Sequence, residues 1–558
     1  MRVRLATALL YTLLSLGAIT TLYPFVVMVT SGAKGPIDQN DNRLIPAYWS
    51  SGEELYRKYV DDKYAGDLNA IAATRGGPDS PADVAAYRGF LATLPSDLFL
   101  CGFRQPPSGV DSRLNTRYQA WLRERFGSIE ALNTTYIEED NSFETVLPPT
   151  EAFARLRWRP SAGPKWDDWQ IFKKSLPIEF RLPVTTRALY QNFMRAEYRF
   201  SFESMPRELR SGATGFDQLE VPPSGPSLAA FEARGLPDRF RVQSVETRWQ
   251  EFKATRVLPL RGGVPAAKRE GVGVDSEDRG QPPDQALSTS PPPANQGHAP
   301  GETPAIDPVA AAAGIRLPTE AYERATVHES AGGLRREFAT RNYAFVLRYL
   351  TVNGHALWTT IIYCGLAIVT TLGVNGLAAY ALSRYPIRAS GKILVFLLAT
   401  MAFPAEVTMI PNFLLLKNLH LLNTFAALVL PGAASGFMIF MLKGFFDSLP
   451  IELFEAAALD GAPETTMLRR IAIPLSRPVF GYFALTTFMG AYGTFLYAFL
   501  VAQDRRMWTV MVFLYQLSGS APKYVMMAAF TLAALPTLIV FLLAQRTIMR
   551  GIVLPSER

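Results

Sequence analysis

The chain has 558 residues, a formal net charge of +7, 49% hydrophobic residues and a mean hydropathy of +0.08. These values exclude a purely soluble protein and a purely membrane-embedded one, and they indicate a mixture of both. The modest positive charge suits anionic lipid head groups and requires no nucleic acid. Only two cysteines occur, one of them inside an apolar run, which argues against a disulfide framework. The scattered histidines show no spacing typical of a metal site.

The N-terminal segment 1–30 is predicted to be a first transmembrane span. Its residues 6–30 are apolar and exceed the roughly 20 residues that cross a bilayer. Arg2 and Arg4 precede them, which predicts a cytoplasmic N-terminus. The alternative is a cleaved signal peptide, but the apolar run is longer than the roughly 7–15 residues of a signal core. Either interpretation places the following residues outside the cytoplasm.

A long polar insertion follows, in which no stretch from 31 to 349 could span a membrane. Its best-patterned segment is 116–136, where Tyr118, Trp121, Leu122 and other apolar residues recur at helical spacing. Such a stripe is typical of a core, so we expect a mainly helical domain over 31–260. Sugar stacking on exposed tryptophans is the alternative, and its candidates are Trp121, Trp166 and Trp169.

The composition changes over 261–314, where proline, glycine, alanine, serine and charged residues dominate. Such a segment buries too little apolar surface to offset its chain entropy, which predicts a disordered linker. The linker separates the larger domain from a short helical stem over 315–350. Both are predicted to be extracytoplasmic.

The remaining segment, 351–558, alternates apolar runs with breaks and predicts five further spans, for six in all. The runs cover 356–382, 393–416, 425–446, 479–501 and 525–543. The loop from Arg384 to Lys392 carries three basic residues and no acid, and Arg546, Arg550 and Arg558 lie in the tail. Both segments are therefore predicted to be cytoplasmic. Arg505 and Arg506 conflict with the rule that basic residues concentrate in cytoplasmic loops, since the predicted number of spans places them outside.

One polar stretch, 447–478, interrupts the apolar region between the fourth and fifth spans. Pro450 stands where a helix can begin, good helix formers follow from Ile451 to Leu459, and Gly461 offers a C-terminal stop. The pattern predicts a short amphipathic helix. The predicted topology places this helix on the cytoplasmic side of the membrane.

The residues of this stretch resemble the cytoplasmic loop motif of ABC importer permeases. Glu455-Ala456-Ala457 is followed after three residues by Gly461, and Pro474 stands where the motif ends. Ile473 replaces the family's usual leucine, a volume-conserving change. Asp460-Gly461-Ala462, together with segments 404–411, 421–424 and 545–551, is similar to the carbohydrate branch, the maltose- and glycerol-phosphate-type permeases. The resemblance covers 350–558 strongly, 1–30 weakly and the insertion not at all.

This resemblance implies a fold and a set of partners. The fold is an all-α membrane protein, a six-helix permease bundle carrying a large extracytoplasmic insertion. The partners are an ABC ATPase dimer, a second permease subunit, an extracytoplasmic solute-binding protein and membrane lipid. The implied location is the inner membrane of the cell.

The resemblance also assigns roles within the loop. Glu455 would meet a basic residue of the ATPase, Ala456 and Ala457 would allow close approach, and Gly461 would permit the turn. Asp460 and Pro474 complete the motif. The alternative is an ordinary solvated loop helix.

The sequence holds no phosphate-binding loop, and the nearest match, Ser390-Gly391-Lys392-Ile393, lacks the first glycine and the hydroxyl. The chain is therefore predicted to be no enzyme, to have no catalytic residue and to bind no cofactor directly. ATP would be used by the partner subunit.

Candidate residues for the solute path lie in the third and fifth spans. Glu406 is the one acidic residue of the third span, and an ionisable group in a span is a functional candidate. Its alternative is a structural hydrogen bond near the outer end. Tyr492, Gly493 and Thr494 stand where the family often has tryptophan, asparagine and an acid. This departure removes amide and carboxylate groups, so the family's solute specificity does not carry over.

Position in the chain predicts two further functions. The loop 502–523 is predicted to face the exterior, where Arg505, Arg506 and Trp508 would contact the binding protein. The insertion is predicted to dock a binding protein or partner permease, with a fused ligand-binding domain as the alternative. Catalysis has little support, because paired carboxylates cannot be placed from one helix. An envelope sensor or assembly protein that reuses the permease scaffold is the second overall interpretation.

Overall fold

The computed structural model describes residues 2–65, 75–78, 80–104, 112–140, 142–143, 145–151, 162–210, 212–257, 309, 312, 314–353, 355–385, 387–402 and 404–551. Side chains are described within these ranges except at residues 2–6, 8–9, 352–353, 401, 405 and 546–551. The predicted linker 261–314 lies almost wholly outside the described residues. Helices make up most of the described chain.

The helices before the predicted linker are short, apart from the first. They are α1 (Arg2–Gly32), α2 (Ala47–Ser50), α3 (Gly52–Lys63), α4 (Pro81–Thr93), α5 (Arg113–Phe126), α6 (Ile129–Tyr136), α7 (Pro164–Ser175), α8 (Thr186–Glu197), α9 (Arg207–Arg210), α10 (Pro226–Arg234), α11 (Asp238–Val242) and α12 (Val245–Val257). Single 3₁₀ turns cover Ile178–Phe180, Phe202–Ser204 and Phe216–Gln218. Two three-residue strands, β1 (Phe99–Cys101) and β2 (Arg181–Pro183), pair antiparallel with Leu100 opposite Leu182.

The helices after the predicted linker include the longest of the chain. They are α13 (Thr319–Arg348), α14 (Ala356–Arg384), α15 (Ser390–Ala399), α16 (Ala405–Asn418), α17 (Phe425–Val429), α18 (Gly436–Asp447), α19 (Glu452–Leu459), α20 (Glu464–Met467), α21 (Ile473–Leu475), α22 (Arg477–Gly493), α23 (Leu496–Val501), α24 (Val510–Ser518) and α25 (Lys523–Gly551). Turns of 3₁₀ type cover Thr400–Ala402, Leu430–Gly432 and Arg505–Met507, and π-helical turns cover Tyr349–Asn353 and Leu468–Ala472.

The chain forms two compact units. The membrane unit comprises Met1–Asp62, Gln105–Arg113 and Val327–Arg558, and the insertion unit comprises Lys63–Arg104 and Leu114–Thr326. This division differs from the predicted boundaries at residues 30 and 260. Helix α13 lies within the predicted stem 315–350, but the chain passes from one unit to the other inside this helix.

Residues 33–62 fold with the membrane unit because side chains of α13 hold them there. The buried amide of Asn342 donates hydrogen bonds to the carbonyls of Gly32 and Lys34, at 2.8 and 2.7 Å. The guanidinium of Arg341 lies 2.6 Å from the carboxylate of Asp62. Buried amides and paired charges resist separation, because each would lose its partner in a low-dielectric environment. The polar sequence after the first span therefore belongs in part to the membrane unit.

The insertion unit has its own aromatic core. Tyr87, Phe90, Phe231 and Trp249 are at most 2% exposed and belong to one hydrophobic cluster. Tyr87 meets the ring of Trp249 edge to face, with centroids 5.5 Å apart. Such rings bury large apolar areas and favour this geometry. The insertion unit thus has an aromatic core of its own.

The patterned segment 116–136 forms two helices, α5 and α6, rather than one. Gly127 has a positive φ of 71°, and the side chain of Ser128 accepts the N–H of Ala131 to cap α6. Tyr118 is fully buried, as a core stripe requires. Trp169 is also fully buried, which corrects the alternative that it stacks on sugars from an exposed position. Trp121 and Trp166 are half-buried.

A buried ion pair links the beginning and end of the insertion unit. The ammonium of Lys63 lies 2.6 Å from the carboxylate of Glu323, and their side chains are 0% and 3% exposed. The two residues are 260 positions apart in the chain. The hydroxyl of Tyr64 stands 3.4 Å from the same carboxylate oxygen. A charged pair at this depth contributes only while both partners are present.

Three helices of the described chain are long and apolar enough to cross a membrane. They cover Leu10–Gly32, Ala356–Arg384 and Lys523–Gln545. A fourth candidate is the bent pair Phe425–Gly432 and Gly436–Asp447, whose axes differ by 58°. These match four of the six predicted spans.

The other two predicted spans are interrupted. Pro404 follows a 3₁₀ turn and separates α15 from α16, so 393–416 is not one continuous helix. Helix α22 has 17 residues and ends at Gly493, before α23 begins at Leu496. A helix of this length rises about 26 Å at roughly 1.5 Å per residue, less than the hydrocarbon thickness. The count of six spans therefore stays a prediction.

A buried carboxyl in the insertion unit predicts a dependence of local stability on pH. Burial raises the pKa of Glu246 above its ordinary 4.5, although Thr186 donates to it from its N–H, at 2.6 Å, and from its hydroxyl, at 3.1 Å. Because the folded state holds the proton more tightly than the unfolded chain, its contribution to stability is full below that ordinary pKa and falls as pH rises above it. We expect Glu246→Gln to remove this loss of stability at higher pH.

Amide hydrogen exchange over α8, whose N-terminus Glu246 contacts, measures the effect. At about pH 7.5 exchange in Glu246→Gln should be slower than in the wild type, because the variant has no buried carboxyl group to ionise. At about pH 4, after correction for intrinsic rates, the two proteins should agree. Faster exchange in the variant at neutral pH would show that the ionised carboxylate stabilises the site.

Candidate functional site

The predicted loop helix is present as α19, and its ends follow the sequence. Two glutamates, Glu452 and Glu455, lie in its first turn, where the helix dipole favours negative charge. At its end Gly461 has a φ of 74°, a conformation that glycine adopts without strain. The N–H of Ala462 bonds the carbonyl of Ala457, and that of Gly461 bonds the carbonyl of Ala458, both at 3.0 Å. These two bonds form a Schellman cap.

A single aromatic residue anchors this helix to the membrane unit. Phe454 is 6% exposed and belongs to a cluster with Tyr380, Phe446 and Met467. The guanidinium of Arg384 lies 3.6 Å from the centre of the Phe454 ring and donates to the carbonyl of Phe446 at 2.8 Å. Cation–π contact and ring burial together hold the helix at this point.

Apart from Phe454 and Ala457, the surface of α19 is exposed. Glu455, Ala456, Asp460 and Gly461 are all open to solvent. Leu459 is 89% exposed, which is unusual for a large apolar side chain at the end of a well-formed helix. Ala457 differs from the other motif residues, since it is half-buried and packs against the Phe454 cluster. Only Ala456 of the alanine pair is therefore available for close approach by another protein.

The segment after the helix is also fixed to the bundle. The hydroxyl of Tyr380 donates to the carboxylate of Glu464 at 2.9 Å, and Ala472 is fully buried. Pro474 is half-buried in α21, immediately after the π-helical turn Leu468–Ala472. The loop 447–478 is thus a supported structure with one exposed face.

The candidate residues of the solute path do not lie together. Glu406 is exposed in the first turn of α16. Tyr492 is 4% exposed, and its hydroxyl donates to the carbonyl of Ala533 at 2.6 Å. Gly493 is exposed at the end of α22. The hydroxyl of Thr494 bonds back to the carbonyl of Gly490 at 2.7 Å.

Two cavities of the membrane unit share these residues. One has a volume of about 490 Å³, and Tyr492 and Gly493 contribute to a lining made mostly of methionine, phenylalanine, leucine and alanine. The other has a volume of about 420 Å³, and Thr494 belongs to its lining together with several other hydroxyl-bearing residues. Glu406 lines neither of these two cavities.

The candidate contact loop is held to the membrane unit through its backbone. The carboxylate of Asp504 accepts the N–H of Arg506 at 2.9 Å, and the carbonyl of Arg506 accepts the hydroxyl of Thr359 at 3.1 Å. The guanidinium of Arg505 donates to the hydroxyl of Tyr349 at 3.2 Å. Both arginine side chains remain exposed, whereas Trp508 is half-buried against the surrounding core.

Sequence reasoning missed two features of this region. The anchor formed by Phe454 and Arg384 joins residues 70 positions apart, and no local pattern predicts it. The sequence did contain a signal for the hydroxyl-lined cavity. The pair Thr486-Thr487 stands one helical turn after Tyr482-Phe483, which places hydroxyl groups on one face of a helix. Within the described ranges no group of histidine, cysteine, aspartate and glutamate is arranged to hold a metal ion.

Comparison with known proteins places the C-terminal part of the chain in a family. The model of the binding-protein-dependent transport system inner membrane component matches residues 346–553. The matched range contains α19, both cavities and the 502–509 loop. Residues 31–345 lie outside it.

Individual relatives match the same part of the chain. The trehalose/maltose transport system permease protein MalG of Thermococcus litoralis is 35% identical over 217 residues, which are 38% of this chain and 78% of that protein. The sn-glycerol-3-phosphate transport system permease protein UgpE of Yersinia pestis is 34% identical, over 34% of this chain and 69% of that protein. A crystal structure of a bacterial ABC transporter for the acidic polysaccharide alginate is 27% identical, covering 37% of this chain and 78% of that one, with a TM-score of 0.33.

These relatives are transport permeases and not enzymes. The anchored loop helix and the apolar helices α14 and α25 lie inside the matched range, at least up to residue 551, and the identity extends over more than two thirds of the relatives' own length. The chain belongs to the family of inner membrane components of binding-protein-dependent transport systems.

Proposed function

We propose that this chain is a permease subunit of an ATP-driven, binding-protein-dependent importer of a carbohydrate or similar small solute. The observation that carries the proposal is α19, a helix fixed at Phe454 with an exposed face that includes Glu455 and Leu459. A helix held at one point on a packed bundle transmits a push to that bundle. The relatives' names, which include trehalose, maltose and sn-glycerol-3-phosphate, support the carbohydrate assignment.

In this proposal α19 couples the chain to a separate ATPase dimer. Glu455 forms an ion pair with a basic residue of the ATPase, and Ala456 allows its close approach. Gly461 with Asp460 sets the turn, and Pro474 with Ala457 supports the helix from the membrane side. ATP is bound and hydrolysed by the partner, since the sequence of this chain contains no phosphate-binding loop. The chain itself binds no cofactor.

The other partners follow from the same assignment. A second permease subunit completes the path, and membrane lipid surrounds the spans. An extracytoplasmic binding protein delivers the solute to the loop that carries Arg505, Arg506 and Trp508. Glu406, Tyr492, Gly493 and Thr494 remain the candidates for the solute path. The proposed topology has six spans, cytoplasmic termini and residues 31–350 outside the inner membrane.

Reconstitution tests the proposal. The chain would be co-expressed with a candidate ATPase, second permease and binding protein from the same organism, and the purified complex placed in proteoliposomes with ATP inside the vesicles on the ATPase side. We expect ATP-dependent accumulation of at least one radiolabelled sugar from a panel, and stimulation of ATP hydrolysis by the loaded binding protein. A complex that assembles but neither accumulates solute nor responds to the binding protein would contradict the proposal.

The size of the insertion unit favours one alternative. A unit with its own aromatic core outside the matched range could be the working part of an envelope sensor or assembly protein. This alternative predicts that no ATPase and no second permease copurify with the chain. Copurification of both from detergent-solubilised membranes would favour transport.

A further inference from the structure

A hydroxyl-lined cavity in the membrane unit has the composition of a site for an uncharged solute. Its volume is about 420 Å³, and it lies among α14, the bent pair α17–α18 and α22. Seven of its lining side chains carry a hydroxyl group: Tyr363, Thr371, Ser435, Tyr482, Thr486, Thr487 and Thr494. The volume falls within the roughly 300–1,000 Å³ that is usual for small-molecule sites.

One face of α22 supplies much of this lining. Tyr482, Thr486 and Gly490 recur every four residues and so form a single stripe along the helix, and Thr494 caps its C-terminus. The hydroxyl of Thr486 donates to the carbonyl of Phe483 at 3.1 Å, so its donor is used inside the helix. Its oxygen lone pairs can still accept hydrogen bonds from a ligand. This face of the helix therefore offers a ligand hydrogen-bond acceptors as well as space.

The neighbouring elements add polar groups from the opposite side. Thr371 of α14 is 6% exposed, and Ser435 caps α18 by accepting the N–H of Met438. Hydroxyl groups from separate helices converge on one space, which a set of isolated lipid-facing threonines would not do. The cavity of about 490 Å³ beside it is lined mainly by apolar side chains, so this concentration is specific to one of the two spaces.

The lining contains no acid and no base. An anionic solute bound between membrane-spanning helices needs a positive partner, because transfer of an unpaired charge from water to a low-dielectric environment is costly. A neutral polyhydroxylated solute exchanges its hydrogen bonds to water for hydrogen bonds to hydroxyl groups at little net cost. The rings of Phe437, Phe483 and Tyr482 offer apolar surface for the C–H face of a sugar.

Space for a ligand is kept open by glycine. A methyl group added at Gly490 or at Gly432 meets no heavy atom within 4 Å, so both positions border open volume rather than packed side chains. Neither residue has a positive φ that would itself require glycine. Both residues line the cavity, so a larger side chain at either position would begin in open space at its wall.

We propose that this cavity binds the transported solute, and that the solute is an uncharged sugar or polyol rather than a uronate or a sugar phosphate. The inference rests on the proposed function and narrows its solute class. It separates this chain from relatives whose printed names include sn-glycerol-3-phosphate or polygalacturonan, both of which bear anions.

Uptake by the full reconstituted complex tests the solute class. The probes are radiolabelled maltose, trehalose and sorbitol as neutral solutes, and glycerol 3-phosphate and trigalacturonate as anions. We expect ATP-dependent uptake of one or more neutral probes and none of either anion. Uptake of an anion at a rate equal to or above that of the neutral probes would overturn the inference and leave the proposed transport function standing. Absence of ATP-dependent uptake for every probe would instead overturn the transport function.

Two pairs of variants test the cavity itself. Gly490→Leu fills the cavity, and its control, Gly373→Leu, adds the same side chain at another open position of a long helix. Thr486→Val removes a hydroxyl that bonds back to the third preceding carbonyl, and Thr537→Val removes an equivalent one that lines the apolar cavity. Copurification with the ATPase reports that each variant folds.

We expect Gly490→Leu to lower the initial rate of uptake by about tenfold or more, and Thr486→Val to lower it by about threefold or more. Both control variants should transport as the wild type does. Wild-type uptake by Gly490→Leu in an assembled complex would show that the solute does not occupy this cavity.

Discussion

Replacing Glu455 with lysine is expected to abolish stimulation of ATP hydrolysis by the loaded binding protein, while the chain still inserts and assembles. Glu455 is exposed on α19 and its side chain supports no packing, so reversal of its charge leaves the helix and its Phe454 anchor intact. At a protein interface the substitution converts an attraction to a basic residue into a repulsion that costs several kcal/mol. The measurement is ATPase activity of proteoliposomes with and without binding protein and solute.

The same helix provides a matched control. Glu452 lies in the same first turn and is also exposed, so Glu452→Lys changes the helix charge and dipole interaction by the same amount. We expect Glu452→Lys to retain most of the stimulation and Glu455→Gln to retain part of it. Unchanged stimulation in Glu455→Lys would falsify the proposed docking role of the helix.

The second large effect is expected from Lys63→Met in the insertion unit. The substitution leaves the Glu323 carboxylate buried without its cation, with the Tyr64 hydroxyl 3.4 Å away. Breaking a buried pair in this way typically costs about 3–5 kcal/mol. We therefore expect limited proteolysis of the full-length protein in detergent to cut the insertion unit at least tenfold faster than in the wild type, since about 1.4 kcal/mol corresponds to each factor of ten when opening is fast.

Two controls separate a lost ion pair from general damage. The double variant Lys63→Met/Glu323→Leu removes both charges and should recover much of the resistance to proteolysis, because apolar replacements of buried pairs are often well tolerated. Arg234→Ala breaks the exposed pair with Glu197, which should change stability by less than about 1 kcal/mol. If Lys63→Met resisted proteolysis as the wild type does, the pair would not hold the unit together.

The loop helix was the most predictable part of the site, because its signals are local. Pro450, the helix formers after it and Gly461 each act within one or two turns, and the structure forms the helix and its glycine cap where they stand. The motif also located the helix within its family. Neither the local helix signals nor the family motif distinguishes Ala456 from Ala457, since the packing that buries Ala457 comes from residues elsewhere in the chain.

The solute path was harder to predict because hydrogen-bond partners are distant in sequence. Tyr492 looked available to a solute, yet its hydroxyl is already bonded to the carbonyl of Ala533 on another helix. Thr494 faces a different cavity from its neighbours Tyr492 and Gly493, and it is the extended residue that caps α22 rather than a part of the helix. The sequence does not show where the helix ends, and only the packing of α14 and α18 shows which face meets hydroxyl groups.

The insertion was predicted as helical and largely extracytoplasmic, but its division could not be derived from composition. Residues 33–62 are polar, and contacts with residues of α13 such as Arg341 and Asn342, about 280 or more positions later, place them in the membrane unit. Pairings at such separations have no signature in a single sequence. The break at Pro404, in contrast, could be predicted, because proline has no backbone N–H to donate within a helix. The continuous apolar character of 393–416 favoured a single span instead.

The Lys63–Glu323 pair has a consequence for the origin of this long chain. It joins the residue at which the insertion unit begins to a residue three positions before its last, Thr326. A folded unit whose entry and exit points adjoin can be acquired between two existing segments without forcing them apart, and the entropy of closing so long a loop grows only with the logarithm of its length. The insertion unit meets this condition, and it lies outside the range that matches the family.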